Sequence, residues 1–139
     1  MLVVVTGSSG LIGSAAARHW DVPGNQVIGI DNDMRSTFFG PTGSTEWNRT
    51  QLESETKYFR TESLDIRNRD AIFELFKNER PDLIIHCAAQ PSHDRAATIP
   101  FLDFEVNANG TLNLLEATRQ FAPEAAFCHM STNKVYGDA

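Results

Sequence analysis

The chain has 139 residues, 41% of them hydrophobic, and its twelve basic and eighteen acidic residues leave a net charge of −6. That length supports one packed core and excludes a second domain of ordinary size. The acidic balance argues against a nucleic-acid partner, whose phosphates need neutralising, and no run approaches the roughly 20 apolar residues of a membrane span.

Leu2 to Val5 is a short β-branched run ending at a glycine, as expected of a strand buried on both faces. It passes into Thr6-Gly7-Ser8-Ser9-Gly10-Leu11-Ile12-Gly13, and Leu11 to Trp20 then has helix-compatible spacing stopped by Pro23-Gly24. Met1 is followed directly by this strand, with no basic leader segment, so the expected location is the cytoplasm. Further strands are expected at Gln26 to Ile30, Tyr58 to Leu64, Leu83 to Cys87 and Ala125 to Met130. Helices are expected from Ser44, as a cap, to about Glu53, from Asp70 to Arg80 ahead of Pro81, and from Phe101 to Phe121. Met34 to Gly43, polar and glycine-bearing, reads as a surface loop, and so do His93 and Asp94. Phe101, Phe104 and Phe121 read as core or subunit-interface residues.

Strands alternating with helices call for an α/β fold: a Rossmann-like, doubly wound parallel sheet of about five strands in the order 3-2-1-4-5. In such a sheet the glycine turn has a specific use. Gly7 permits the tight turn, Gly10 lets backbone amides approach a pyrophosphate, and Gly13 lets the helix pack close to the strand. Ser9, Leu11 and Ile12 lie on the same turn, where the helix N-terminus faces an anion. Asp31, eighteen residues after Gly13, ends the second strand, where a carboxylate accepts bonds from an adenosine ribose and repels a 2′-phosphate. This favours NAD over NADP, although Arg35, a few residues beyond Asn32, could soften the preference. Asp65 and Ile66 close the third strand near the expected adenine, and a helix-capping role for Asp65 is equally physical.

Cys87 and Cys128 each neighbour a histidine, His86 and His129. Adjacent strand residues point to opposite faces, so neither pair converges on one ion; no metal site is expected, and both thiols read as buried and reduced.

The Thr-Gly-x-x-Gly-x-x-Gly spacing resembles the short-chain dehydrogenase/reductase superfamily, and three further segments resemble its extended, nucleotide-sugar-modifying branch. His86-Cys87-Ala88-Ala89-Gln90 is similar to that branch's small-residue turn beneath the nicotinamide. Asn107-Ala108-Asn109-Gly110-Thr111-Leu112 is similar to its long central helix, with a structural role for Asn107, and Ser131-Thr132-Asn133-Lys134-Val135-Tyr136-Gly137-Asp138 to the segment carrying its catalytic serine or threonine. The resemblance implies bound NAD, contacts from Ala88, Ala89, Gln90, Asn107 and Ser131, and Thr132 as the catalytic hydroxyl; strand-end capping is the alternative for Thr132. The Asp103-Phe104-Glu105 and Ser-Thr-Asn-Lys-Val-Tyr-Gly-Asp wording is similar to epimerases of CDP-linked sugars, which implies a nucleotide-sugar partner.

Lys134 precedes Tyr136 by two, whereas the branch's base motif is Tyr-x-x-x-Lys, so Tyr136 reads as turn packing. Residues 1–139 are accordingly expected to be one incomplete NAD-binding domain, ending before a sixth strand and a substrate domain, inactive alone and prone to form a homo-oligomer. A non-catalytic NAD-binding module, or a dehydratase or reductase of the same branch, is the competing expectation.

Overall fold

The computed structural model describes residues 1–132. Strands β1 (Leu2–Thr6), β2 (Gln26–Ile30), β3 (Phe59–Glu62), β4 (Leu83–His86) and β5 (Ala126–His129) form one parallel sheet in the order β3-β2-β1-β4-β5. The order expected from the alternation of elements is therefore observed. Helices α1 (Leu11–Trp20) and α3 (Glu46–Glu55) cover one face. There Val3, Val5 and Val27 pack with Ala17 and Leu52. Helices α4 (Arg69–Glu79) and α7 (Gly110–Phe121) cover the other, where Val4, Ile28 and Ile84 meet Ile72, Phe76 and Leu114. Alternate residues of β1 thus feed opposite cores, which is why its sequence is apolar throughout.

Several expectations need correction. Met34 to Gly43 is not a surface loop: α2 (Met34–Phe39) and one 3-10 turn (Pro41–Gly43) occupy it, and Phe38 is buried. The segment closes on Asp33, a residue with φ of 51° whose carboxylate accepts bonds from the Ser44 hydroxyl at 2.8 Å and the Thr45 amide at 2.8 Å. Thr45 occupies the cap position of α3 without a side-chain cap bond; Ser44, one residue earlier, donates to Asp33 while its hydroxyl oxygen accepts from the amide of Glu46, the first residue of the helix, at 3.2 Å. His93 and Asp94 begin a short helix, α5 (His93–Thr98), rather than lying in a loop.

The long helical run after it is composite: α6 (Pro100–Phe104), a π-helical segment (Glu105–Asn109) and α7. Within it Phe121 packs edge-on against Phe73, as a core residue would. Phe101 and Phe104 instead stand 86% and 62% exposed. Cys87 is half-buried, but Cys128 is exposed, because β5 forms the sheet edge. Among the described residues no helix is long and apolar enough to cross a membrane, and no cluster of three or more metal-ligating side chains exists.

Candidate functional site: a cleft at the carboxyl edge of the sheet

The carboxyl ends of β1, β2 and β4 open onto a cavity of about 240 Å³. Its floor is the glycine turn. Gly7, at φ of +65°, lies so close to the next strand's turn that a Cβ there would meet the Ala88 nitrogen at 2.8 Å. Gly13 is tighter: a Cβ would fall 2.1 Å from the Gly7 carbonyl oxygen. Helix α1 begins directly over this turn with Gly10 at its cap position, so the amides of Leu11, Ile12 and Gly13 have no intrahelical acceptor. They give the floor a positive end.

Gly7, Gly10, Leu11, Ile12, Gly13, Asp31, Asn32, Arg35, Asp65, Ile66, Ala88 and Ala89 all line the cavity. Asp31 is bound on both oxygens, accepting from the Ser9 amide at 2.9 Å and the Asp33 amide at 2.9 Å. Ser9 itself is buried under the turn, and its carbonyl accepts from the Asn48 side chain at 2.8 Å. Asn32 accepts from the Met34 amide, and the Arg35 guanidinium lies 4.9 Å from the Phe39 ring centroid.

Asp65 does not cap α4. It takes Arg67 in a bidentate pair, with its closest contact at 2.6 Å, while Asn68 occupies the cap position and accepts from the Ala71 amide. Burial alone would raise the Asp65 carboxyl; the Arg67 bonds outweigh it and hold the group below its ordinary value. Asp33 is lowered in the same way, burial being outweighed by the Thr45 amide and the Ser44 and Ser36 hydroxyls.

The opposite wall carries the β4 turn. Gln90 is buried, its side-chain amide donating to Ser92 and, at 2.8 Å, to Asp103. Its backbone is held by Asn107 on the π segment, whose side chain accepts from the Gln90 amide at 2.9 Å. Neither lines the cavity; both brace the Ala88-Ala89 wall from behind. Cys87 does line it, and burial together with nearby Cys128 pushes its thiol up to about 11, so it is not a thiolate at neutral pH. Ser131 and Thr132 follow β5, are exposed and lie outside the cavity lining, and Thr132 takes part in an interaction of its own. Residues 133–138 of the expected catalytic segment lie outside the described residues.

Sequence reasoning missed Met34, Phe38 and Thr45, which line the same cavity as Asp31. The i, i+4 pairing of Met34 and Phe38 was the available signal, and the polar residues between them hid it. It also gave His86 no role of its own beyond the excluded metal site and its place at the head of the small-residue turn. The ring is 1% exposed, within 2.7 Å of the Thr6 hydroxyl on one side and 2.9 Å of the Thr111 hydroxyl on the other. Burial and neighbouring His129 push it down to about 4.

A parallel sheet, a glycine turn under a helix N-terminus and a carboxylate at the end of the second strand define a dinucleotide-binding protein. The chain belongs to the NAD dependent epimerase/dehydratase family, whose model matches residues 3–139. It is 36% identical to the CDP-paratose 2-epimerase of Salmonella typhi over 99% of this chain and 38% of that protein. With a dTDP-glucose 4,6-dehydratase of Escherichia coli it shares 35% identity, again over 99% of this chain and 38% of the other. The structure superposes on a UDP-glucose-4-epimerase from Stenotrophomonas maltophila with bound NAD and formylated UDP-arabinopyranose, at a TM-score of 0.82 and 28% identity, covering 100% of this chain and 39% of that one. The chain thus spans well under half the length of the relatives it matches.

Proposed function

We propose that the chain is the NAD-binding portion of a nucleotide-sugar epimerase acting on a CDP-linked sugar, in which a sugar carbon is transiently oxidised and then reduced from its other face. The observation that carries the cofactor site is the close packing at Gly7 and Gly13, where a Cβ would run into the backbone of Ala88 or of Gly7, so that only glycine there lets the turn seat the N-terminus of α1 over the cavity. In this reading the amides of Leu11 and Ile12 face the pyrophosphate, and Asp31 and Asn32 hold the adenosine ribose. Asp65 and Ile66 border the adenine, with Met34 and Phe38 as its apolar bed. Ala88 and Ala89 form a flat wall for the nicotinamide ring, with Gln90 and Asn107 as its brace. When bound, NAD supplies the hydride acceptor and donor of the cycle. Thr132, assisted by Ser131, supplies the hydroxyl that bonds the reacting sugar oxygen.

In this reading the base of the cycle is not among these 139 residues, which contain no Tyr-x-x-x-Lys, and they do not turn over the sugar by themselves. Calorimetric titration with NAD, NADP and a CDP-sugar tests the cofactor site. NAD binding in preference to NADP, without sugar binding, is the expected result; absence of NAD binding refutes it. Measurable epimerisation by the chain alone refutes the inactivity.

A dehydratase reading is favoured by the nearly equal identity to dTDP-glucose 4,6-dehydratases. Turnover of CDP-paratose against dTDP-glucose by a gene product containing this chain separates the two.

The second copy of the chain is the proposed partner for the α6–α7 run, where Phe101, Phe104, Leu112 and Leu115 are exposed. A dimeric mass by light scattering, lost in Leu112→Glu, supports this; a monomer at micromolar concentration refutes it.

A further inference from the structure

His86 sits between three elements, and one assignment of protons gives each bond around it both a donor and an acceptor. Thr111 spends its only hydroxyl proton on the Asn107 carbonyl at 2.7 Å, so towards His86 Nε2 it can only accept. Nε2 therefore carries the ring proton. Nδ1 is left as an acceptor, and the Thr6 hydroxyl donates to it at 2.7 Å. The Thr6 oxygen in turn accepts from the Ala88 amide at 3.2 Å, while the Thr6 carbonyl accepts from the Cys87 amide at 3.1 Å. Every donor and acceptor in this chain is used once in one consistent sense, from the Ala88 amide at one end to the Asn107 carbonyl at the other.

We infer that His86, fixed as the Nε2–H tautomer, is a positioning residue that straps the Ala88 wall and the glycine turn of β1 to the π segment carrying Asn107. The strap works where precision matters most. The last residue of β1, Thr6, precedes the glycine turn; Ala88 abuts Gly7; and Asn107 holds the Gln90 backbone from behind. The ring joins β1 to α7 through Thr6 and Thr111, two residues before the Ala88 wall proposed to carry the nicotinamide, and its functional consequence rests on that reading.

The groups facing the ring are Thr6 from β1, Thr111 from α7, and Phe127 and His129 from β5, the His129 ring centroid lying 5.2 Å away. None is a carboxylate, so nothing opposite the ring favours a second proton. The register of β4 with β5 sets His129 directly beside His86.

Correlation of ring nitrogens with ring protons by NMR in the intact chain at neutral pH tests the tautomer without any ligand. The expected spectrum has a protonated, exchange-protected His86 Nε2 and a bare Nδ1; a protonated Nδ1, or an Nε2 proton exchanging at the solvent rate, overturns the strap. Thr111→Val keeps the shape of the side chain and removes the acceptor, and Thr111 lies outside the cavity lining. It is expected to weaken NAD binding about fivefold, the equivalent of one hydrogen bond, to speed exchange of the Ala88 amide, and to be rescued in both by Thr111→Ser. Unchanged NAD affinity and unchanged Ala88 exchange in a folded Thr111→Val chain overturn the positioning role. Failure of the wild-type chain to bind NAD defeats the cofactor-site reading and, with it, the positioning of that site, whereas the ring spectrum decides the strap independently.

Discussion

Replacing His86 by Gln removes a titration whose effect on stability follows from its burial. The ring ordinarily takes up a proton near pH 6.5 and in the folded chain does so only near 4, burial being the first cause and His129 the second. Between those values the unfolded chain binds more protons than the folded one, so stability is full above about pH 7 and falls as pH drops towards 4. At pH 5 the ratio of proton-binding factors is about thirty, a loss of about 2 kcal/mol relative to neutral pH. For a domain of this size that is roughly 6 to 10 °C in Tm. The assay is urea or thermal unfolding at pH 7, 6 and 5, for wild type and His86→Gln in parallel. Other titrating groups contribute to both profiles, so the quantity of interest is their difference, a slope present in the wild type and reduced by about 2 kcal/mol in the variant. Asp33 and Asp65, held below their ordinary value of 3.8, lose their contribution only as pH falls through that lower range, and do not confound this window. Parallel pH profiles for the two proteins would refute the argument that His86 is buried neutral.

Gly13→Ala is expected to abolish NAD binding and to cost about 1 to 3 kcal/mol of stability, because the new methyl meets the Gly7 backbone rather than a flexible side chain; calorimetry and urea unfolding measure the two effects, and retained affinity would show that the turn tolerates a Cβ. Asn48→Leu leaves the buried Ser9 carbonyl without its side-chain donor and should cost about 1 to 3 kcal/mol, read by the same unfolding assay. Asp33→Ala releases the Ser44 and Thr45 contacts and should accelerate limited proteolysis within residues 34–43, while cleavage elsewhere stays at the wild-type rate.

The strand order, the glycine turn and its helix were legible because their signals are local: apolar runs of period two or none, a helix beginning at Gly10, and carboxylates at strand ends. In the cavity lining, Asp31 was legible and Phe38 was not. Helix α2 is short, with Arg35, Ser36 and Thr37 in its middle, and it is held by Asp33 reaching eleven and twelve residues ahead to Ser44 and Thr45. No pattern within its own six residues announces that closure. His86 was misread for the same physical reason on a larger scale, since its partners lie 80 residues back and 25 residues on, and its neighbours in sequence say nothing of them. Phe101 and Phe104 were read as core or subunit-interface residues; periodicity alone does not separate the two, and their exposure excludes the core of this chain.

If Asp31 holds the adenosine ribose as proposed, one carboxylate of the cleft has two jobs, and this constrains how its specificity can change. Asp31 accepts from Ser9 with one oxygen and from Asp33 with the other, so before any ligand arrives it already ties the glycine turn to the start of the α2 segment. Each carboxylate oxygen has a second lone pair, which leaves it able to accept from a ribose hydroxyl without surrendering the first bond. Replacing it to admit a 2′-phosphate therefore removes two backbone partners along with the repulsive charge. Asp31→Asn keeps one acceptor and relieves the charge, whereas Asp31→Ala relieves the charge and strands both amides. The difference between these two variants in NAD affinity measures the bracing role, and what they share in NADP affinity measures the electrostatic one. Arg35 lines the same cavity, its guanidinium 4.9 Å from the Phe39 ring centroid, and is the cation nearest in sequence to Asp31, so the electrostatic gain should be larger in Asp31→Asn than in the same variant carrying Arg35→Gln.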